Sequence, residues 1–315
     1  MKNKRVGVLM GGPSSEREIS IRSGNAVCKA LEAKGVDYVA VELGAGPNVN
    51  GYKESVAAQL ASLDLGVAFV ALHGEFGEDG GVQELLEKMG IPYTGSSSAA
   101  SKIAMNKISA KEVFRMKNIP APRHEILTRD VFEKGAGKKA YFENLGRSLV
   151  VKPSNGGSSI GLNIVDNEED LAAAIKEAFK YDDKLIIEEY ISGREITVGI
   201  IEDRALPVVE IVPKRKFFDF TAKYEKGLTE YIVPAEIEEK MYKRCQDTAL
   251  RAHKALSARS FSRVDIILNE SLGPVVLEVN TIPGLTATSL LPKAAKAIGI
   301  DFENLCLKIL GSASW

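Results

Sequence analysis

The stretch VKPSNGGSSIG, at residues 151–161, joins two apolar segments that have the composition of β-strands. Lys152 ends the first strand, and a loop of small residues leads into the second. Glycines let backbone N–H groups approach an anion closely, serine hydroxyls add donors, and the lysine adds charge. The chain has no G-x-x-x-x-G-K-[ST] segment, so a phosphate here would bind between β-strands and not at a helix N-terminus. A plain Gly/Ser hairpin loop remains the alternative.

A second candidate site combines residues 263–265 (RVD) with residues 277–280 (LEVN). If the intervening residues 269–274 form a hairpin turn, Asp265 lies opposite Glu278. Side chains alternate along a strand, so one face of the hairpin carries the polar set Arg263, Asp265, Glu278 and Asn280. The opposite face would point into a core and carries Val264, Ile266, Leu277 and Val279.

Two carboxylates and an amide oxygen on one strand face suit a hard divalent cation, Mg²⁺ or Mn²⁺, that bridges to phosphates. A carboxylate pair across two strands is unfavourable without a positive group beside it. The pattern therefore favours a metal site. The alternative is a solvated acidic face that Arg263 and Lys293 neutralise.

Strand and helix patterns alternate over roughly the first hundred residues, which predicts an open, largely parallel α/β sheet. The predicted strands are residues 5–10, 36–43 and 67–72, and the predicted helices are residues 15–34 and 82–89. Ser15 with Glu18 matches a capping box at the start of the first helix. In such a sheet ligands bind beyond the carboxyl ends of the strands, where Gly11-Gly12 and His73-Gly74 lie.

After a Ser/Ala-rich boundary at residues 95–101, the pattern changes to α+β in two lobes. A helix is predicted over residues 102–117, and further helices over 168–179 and 236–255. Short strands come in pairs separated by Gly/Ser/Asn turns, which is typical of antiparallel hairpins. The predicted pairs are residues 148–152 with 162–165, 184–189 with 195–201, and 263–268 with 274–279.

The composition points to small-molecule ligands. The 315 residues include 41 Lys and Arg against 42 Asp and Glu, a net charge of −1. That balance gives no electrostatic reason to expect a nucleic-acid or membrane partner. The three cysteines are far apart in the sequence and form no metal-type pair. With no signal-like segment and no apolar run of about 18 residues, we expect a cytoplasmic protein.

Three weaker signals lie elsewhere. Residues 188–195 (EEYISGRE) join two apolar strands and are able to present Glu188 to an adenine and Glu195 to a ribose, although acidic turns are usually only solvated. A lone His73 is more often structural than catalytic. Glu16, near a predicted helix start, is suited to accept an ammonium group or only to interact with the helix dipole.

Taken together, these stretches resemble the D-alanine–D-alanine ligases of the ATP-grasp superfamily. The resemblance runs in order along essentially the whole chain. Its matching segments are residues 11–20, 73–80, 152–161, 222–224, 263–265 and 278–284.

The resemblance implies a Rossmann-like N-terminal α/β domain, residues 1–97, followed by the two lobes of an ATP-grasp fold, residues 98–190 and 191–315. ATP would lie between two antiparallel sheets. Residues implied to contact it are Lys107, Lys152, Ser158 and Ser159 at the phosphates, Glu188, Glu189, Tyr190 and Ile191 at the adenine, Glu195 at the ribose, and Asn280. Two Mg²⁺ or Mn²⁺ ions would bind Asp265, Glu278 and Asn280.

The resemblance also implies the substrates and their ligands. Glu16 would bind the ammonium group of a first D-alanine, in a triad with Ser158 and Tyr224. Arg263 and the Gly284 amide would stabilise the oxyanion of an acyl-phosphate reaction. Further substrate contacts would come from His73, Lys223, Ser289 and the Leu290 amide.

Residues 217–232 resemble the family's closing loop, which carries Lys223 and Tyr224, and the family implies a homodimer. Relatives that use D-lactate as second substrate typically have histidine where this chain has Tyr224, so we expect D-alanine at both sites. Alternatives are a D-alanine–D-lactate ligase, another ATP-grasp carboxylate–amine ligase, or a catalytically silent nucleotide-binding module, which would be expected to lose Arg263 or a metal ligand.

Overall fold

The computed structural model of the chain describes residues 5–46, 51–135, 138–213 and 229–314, with only the backbone at 138 and 139. The N-terminal part contains a parallel three-stranded sheet, as the alternating pattern predicted, and β1 lies at its centre. Its strands are β1 (Arg5–Gly11), β2 (Tyr38–Leu43) and β3 (Leu65–Val70). Its helices are α1 (Arg17–Ala33), α2 (Tyr52–Ala61) and α3 (Gly81–Met89).

The predicted capping box at Ser15 and Glu18 is wrong. Helix α1 begins at Arg17, and its N-cap residue Glu16 makes no side-chain capping bond. Instead the Ser14 hydroxyl accepts a hydrogen bond from the Glu16 backbone N–H at 3.0 Å. The serine bond therefore forms one residue earlier than predicted, and the Glu16 carboxylate makes no capping bond.

The helix predicted over residues 102–117 is two helices, α4 (Ser98–Met105) and α5 (Lys107–Met116). Asn106 between them has an extended backbone, and its side chain caps α5 by accepting from the Ser109 N–H. Asparagine competes with helical hydrogen bonding in this way. The break lets the Lys107 N–H bond to the Ser154 carbonyl at 2.8 Å, which ties the start of α5 to the glycine-rich loop.

The second sheet is antiparallel and four-stranded. It consists of β4 (His124–Thr128), β5 (Leu149–Pro153), β6 (Asn163–Val165) and β7 (Lys184–Glu189), and β7 lies between β4 and β5. The accompanying helices are α6 (Arg129–Glu133), α7 (Lys138–Leu145) and α8 (Glu168–Ala178). The predicted hairpin of β5 with β6 is confirmed, and α8 packs on it.

The third sheet is antiparallel and five-stranded. It consists of β8 (Arg194–Ile201), β9 (Arg204–Pro213), β10 (Thr229–Ile232), β11 (Phe261–Asn269) and β12 (Gly273–Asn280). Helices α9 (Glu239–Ala255), α10 (Leu290–Lys296) and α11 (Phe302–Gly311) accompany it. Helix α9 packs on four of its strands, β8, β9, β11 and β12.

The predicted pairing of residues 184–189 with 195–201 is wrong. Strand β7 pairs with β4 and β5, whereas β8 pairs with β9 and β11, so the segment between them crosses from one sheet to the other. Gly193 makes this crossing possible, because a Cβ there would lie 2.4 Å from the Leu268 carbonyl oxygen. A hairpin and a sheet-to-sheet crossing share the same local signals, namely two apolar strands and a short turn.

The N-terminal and third sheets share a core. Val8 and Leu31 of the first part are fully buried in one cluster with Phe261 and Leu291 of the last part, and α1 packs against α11. The three sheets fall within the ranges predicted for the three domains, and the boundaries themselves stay predictions. Within the described ranges, no helix is long and apolar enough to cross a membrane.

Gly24 allows α1 to approach β1 closely. A Cβ at Gly24 would lie 2.5 Å from the Cβ of buried Met10. We expect Gly24→Ala to lower the free energy of unfolding by about 1–3 kcal/mol, because overpacking displaces the helix. Urea denaturation measures this.

The matched control is Gly311→Ala at the end of α11, where a Cβ would meet nothing within 4 Å. This change should leave stability unchanged or slightly raised, because alanine favours helix. Equal midpoints for the two variants would contradict the close-approach explanation.

Candidate active site

The second and third sheets face each other across a cleft of about 670 Å³. The glycine-rich loop, the crossing segment and the β11–β12 hairpin all contribute to its wall. Of the residues predicted to contact nucleotide or metal, ten line this cleft: Lys107, Lys152, Ser159, Glu188, Glu189, Tyr190, Ile191, Glu195, Asp265 and Glu278. Asn280 lines a small adjoining cavity with Glu278 and Lys107. The structure thus brings together residues from four separate stretches of sequence.

A buried carboxylate lies at one wall of the cleft, held by two lysines. Glu188 is 2% exposed; its Oε2 lies 3.0 Å from Lys152 Nζ and its Oε1 3.1 Å from Lys111 Nζ. Burial alone raises the pKa of Glu188, but the two lysines outweigh burial and lower it to about 2. Burial lowers the pKa of Lys111. Glu188 is therefore ionised throughout the neutral range.

Lys111 was not predicted as a site residue. It follows Lys107 by four residues on α5, and that spacing places both on one helix face. This four-residue spacing was the signal in the sequence that pointed to Lys111. Lys107 lies in the cleft, where its Nζ donates to the Gly156 carbonyl at 2.5 Å, while Lys111 is buried behind it.

One acidic side chain organises the base of the glycine-rich loop. The Asp182 carboxylate accepts hydrogen bonds from the Ser154 hydroxyl, the Asn155 N–H and the Lys184 N–H at 2.7, 2.9 and 3.1 Å. Burial opposes ionisation of Asp182, but these donors outweigh it and lower its pKa. Beyond this base, Ser158 and Ser159 adopt left-handed backbone angles of φ 52° and 58°. Residues held there cost conformational energy and cluster at functional sites.

The far end of the loop touches the N-terminal domain. The Ser158 hydroxyl donates a short hydrogen bond to Glu16 Oε1, a contact that the family resemblance implied. Gly74 leaves room for Glu16, because a Cβ at Gly74 would lie 2.9 Å from Glu16 Oε2. His73 is buried beside them, its Nε2 2.9 Å from the Ser23 hydroxyl. Burial lowers the pKa of His73, which keeps the ring neutral.

Glu78 is a second residue that sequence reasoning left out of the site. Its Oε2 accepts from the Gly74 N–H at 2.7 Å, and it lines the small cavity with Glu278. Burial, with Glu16 and Glu278 nearby, raises its pKa to about 8. The motif that contains Glu78 was recognised, but its position in a loop gave no indication of where the carboxyl points.

The β11–β12 hairpin has the predicted register from residue 263 to residue 265, with Arg263 opposite Asn280 and Asp265 opposite Glu278. The turn predicted over residues 269–274 is shorter, because Asn269 pairs with Gly273. The guanidinium of Arg263 donates to both Asp265 oxygens at 2.9 and 2.7 Å. Asp265 also accepts from the Thr197 hydroxyl at 2.6 Å and from Asn280 Nδ2 at 3.0 Å.

The predicted inward direction of Leu277 is wrong. A bulge follows Asp265, so that Ile266 pairs with Val276 and Leu277 is the extra residue. A bulge locally re-aims a side chain, and Leu277 is half-buried in the cleft wall. Val264, Ile266 and Val279 are buried as predicted.

The turn after β12 brings the predicted oxyanion and second-substrate residues together. Gly284 packs against Ser289, since a Cβ there would lie 3.0 Å from the Ser289 hydroxyl. That hydroxyl accepts from the Thr286 N–H at 3.1 Å, and Leu290 begins α10. Lys223 and Tyr224 lie outside the described residues, as do residues 217–228 of the predicted closing loop. The last four residues of that prediction are wrong, because they form strand β10 and pair with β9.

Two antiparallel sheets enclosing a nucleotide-sized cleft, with lysines at one wall and paired carboxylates at the other, define an ATP-grasp enzyme. Comparisons with known proteins agree. The family model described as "D-ala D-ala ligase C-terminus" matches residues 113–311, and the model described as "D-ala D-ala ligase N-terminus" matches residues 44–96. The chain belongs to the D-alanine–D-alanine ligase family.

Individual relatives match over their full length. The D-alanine–D-alanine ligase of Geotalea uraniireducens is 46% identical over 316 residues, which cover 100% of this chain and 97% of the relative. A crystal structure of the D-alanine–D-alanine ligase from Bacillus anthracis superposes with a TM-score of 0.85 at 36% identity, covering 98% of this chain and 97% of that one. The VanG D-Ala:D-Ser ligase from Enterococcus faecalis superposes with a TM-score of 0.83 at 29% identity, covering 98% and 99%.

The hydrogen bonds of Asp182 predict that it holds the glycine-rich loop in place. We expect Asp182→Ala to lower the free energy of unfolding by about 2 kcal/mol, because several donors lose a charged acceptor, and to raise KM for ATP. Chemical denaturation and steady-state kinetics measure the two effects.

The neighbouring change Asp183→Ala is the matched control, because Asp183 is exposed and pairs only at the surface with Arg129. Surface ion pairs contribute little. The role assigned to Asp182 is wrong if both variants keep the parent KM for ATP.

Proposed function

We propose that the chain joins two D-alanines into D-alanyl-D-alanine, with ATP converted to ADP and phosphate through a D-alanyl phosphate. The observation that carries this proposal is the hydrogen bond between Ser158 and Glu16. Through this bond Glu16, which is suited to bind an amino-acid ammonium group, lies against the glycine-rich loop, which is suited to bind phosphate. Carboxylate activation requires a substrate carboxylate and a γ-phosphate to meet at such a point.

The nucleotide would bind in the cleft between the second and third sheets. Glu188 is ionised and suited to accept from an adenine amino group, next to the backbone of Glu189, Tyr190 and Ile191. Glu195 would bind the ribose. Lys107, Lys152 and the loop with Ser158 and Ser159 would surround the phosphates, whose charge they neutralise.

In the first step an oxygen of the D-alanine carboxylate attacks the γ-phosphorus and ADP leaves. Glu16 would hold the ammonium group of this D-alanine, and buried His73 would shape the pocket through Ser23. Neutral His73 adds no positive charge beside that ammonium group. We propose that Lys223 and Tyr224 act at the same site.

In the second step the amine of the other D-alanine attacks the acyl carbon, and phosphate leaves. Arg263 and the Gly284 N–H would stabilise the tetrahedral oxyanion, while Ser289 and the Leu290 N–H would bind the carboxylate of the attacking molecule. Removing one oxyanion donor typically lowers kcat by about 10²–10³. Residues 217–228 of the predicted closing loop are proposed to cover the site, because an acyl phosphate must be protected from water.

The residues present fit a divalent cation. Asp265 and Glu278 are directly opposed carboxylates, and Asn280 directs its Nδ2 to Asp265, which leaves the amide oxygen as a possible ligand. The described residues contain no group of three His, Cys, Asp or Glu side chains suited to a metal, so phosphate oxygens would have to complete the coordination. We propose two Mg²⁺ or Mn²⁺ ions here, which would neutralise charge on the transferring phosphoryl group.

The proposal extends to a homodimer in the cytoplasm. The homodimer rests on the family resemblance. The cytoplasmic location rests on the use of ATP and on the three buried cysteines, Cys28, Cys245 and Cys306, which form no disulfide.

The second substrate is the least constrained part of the reaction. The neighbour from Enterococcus faecalis is a D-Ala:D-Ser ligase, whereas eight curated relatives at 41–46% identity are all D-alanine–D-alanine ligases. The higher identity and Tyr224 favour D-alanine at both sites over D-serine or D-lactate.

Phosphate release with product chromatography tests the function. We expect release with ATP, Mg²⁺ and D-alanine, D-alanyl-D-alanine as product, and little release with L-alanine or after EDTA treatment. Mixtures of D-alanine with D-serine or D-lactate should give mainly D-alanyl-D-alanine.

The variant Arg263→Lys should lower kcat by about 10²-fold, because the planar fork that contacts Asp265 and the oxyanion is lost. Lys243→Arg, on the exposed face of α9, is the control and should not change kcat. ATP binding without phosphate release under any D-amino acid would support a silent nucleotide-binding module instead.

A further inference from the structure

We propose that Lys111 is a positioning residue that makes the nucleotide site selective for a 6-aminopurine, by holding the Glu188 carboxylate in place from behind the cleft wall. This inference rests on the proposed use of ATP. It concerns a residue that does not line the cleft, whereas Glu188 and Lys152 do.

Lys111 lies behind the cleft wall, and its charged partner there is Glu188. Its side chain is 2% exposed, and its Nζ lies 3.1 Å from Glu188 Oε1 and 3.2 Å from the Pro122 carbonyl oxygen. A buried ammonium group requires partners of this kind, because desolvation of an unpaired charge is costly. Among the described residues its polar partners are the Glu188 carboxylate and the Pro122 carbonyl; both of these residues line the cleft, whereas Lys111 does not.

The two lysines that hold Glu188 differ in whether a bound nucleotide would compete for them. Lys152 contacts Oε2 and lines the cleft, so bound phosphates compete with Glu188 for its ammonium group. Lys111 contacts Oε1 and has no such competitor. When a nucleotide is bound, Lys111 is the partner that keeps Glu188 oriented.

The other groups around Glu188 do not replace Lys111. His124 of β4 lies opposite Glu188 in the sheet, but burial, followed by Lys111, lowers its pKa and keeps it neutral. Glu189, the next residue of β7, is paired with Arg123. Facing Glu188 from the described neighbouring elements, α5 and β5 each supply one cation, Lys111 and Lys152.

Selectivity follows from hydrogen-bond polarity. An ionised carboxylate accepts from an amino group at position 6 of a purine, whereas a 6-keto oxygen directs lone pairs against it. A site built to make such a bond can reject an analogue that lacks it by large factors, up to about 10⁴–10⁵. That rejection requires Glu188 to stay both ionised and oriented.

Equilibrium binding of ADP and of inosine diphosphate (IDP), measured by calorimetry at pH 7.5, tests this without turnover. The protein should prefer ADP by about 10²-fold or more. In Lys111→Gln, which keeps the volume and a donor for Pro122 but removes the charge, we expect the preference to fall below about 10-fold through loss of ADP affinity. Lys111→Arg should retain most of the preference because the charge remains.

The control is Lys117→Gln, the same change at an exposed position just after α5, and it should bind both nucleotides like the parent. The pH dependence adds a second readout. ADP binding by the parent should not change between pH 7.5 and 5.5 on account of Glu188, whose pKa is about 2. In Lys111→Gln one of the two cations that lower the pKa of Glu188 is lost, so that burial raises this pKa. We therefore expect ADP affinity of the variant to fall between pH 7.5 and 5.5, as Glu188 takes up a proton.

The outcomes separate the inference from the proposed function. A parent protein that binds neither nucleotide contradicts both. A parent that prefers ADP, with a Lys111→Gln variant that keeps the same preference and a flat pH profile, overturns the role of Lys111 alone. Loss of stability in Lys111→Gln with an unchanged ratio of ADP to IDP affinity would show that Lys111 only neutralises a buried charge, and this too overturns the proposal.

Discussion

A carboxylate buried between two lysines is the constraint on which the site depends. Glu188 cannot be ionised at 2% exposure without Lys111 and Lys152 at 3.1 and 3.0 Å, because the desolvation of an unpaired charge costs several kcal/mol. Because Lys111 lies on α5, Lys152 on β5 and Glu188 on β7, the two ion pairs hold these three elements together. They also bring α5 close to the glycine-rich loop, where the break at Asn106 directs Lys107 towards Gly156. One buried ion cluster thus lies between the strand proposed to face the adenine and the loop proposed to hold the phosphates.

The opposite wall depends on an antiparallel register. Asp265 and Glu278 face each other across two strands, an arrangement that is unfavourable without positive charge. In this structure Arg263 and Asn280 supply the compensating donors to Asp265. Asp265 and Glu278 would hold a cation there, and its charge would offset the repulsion between the two carboxylates.

Local patterns predicted the parts of the structure that local forces determine. The β11–β12 pairing was predictable from Arg263 to Asp265, because alternation along two hairpin strands fixes which side chains share a face. The bulge that re-aims Leu277 leaves no comparable sequence signal. The segment at Gly193 resembled a hairpin turn because its sheet-to-sheet crossing depends on tertiary packing against Leu268. Lys111 and Glu78 were missed because their roles depend on which buried groups they meet.

The transfer of an oxygen atom tests the central claim most directly. If the D-alanine carboxylate attacks the γ-phosphorus, one of its oxygens forms the bridge of the acyl phosphate and leaves with phosphate when the second amine attacks. With D-alanine labelled with ¹⁸O in the carboxylate, mass spectrometry should find one labelled oxygen in each phosphate released during peptide formation. Phosphate without label, formed together with D-alanyl-D-alanine, would contradict the acyl-phosphate mechanism and the roles assigned to Glu16, Ser158 and Arg263.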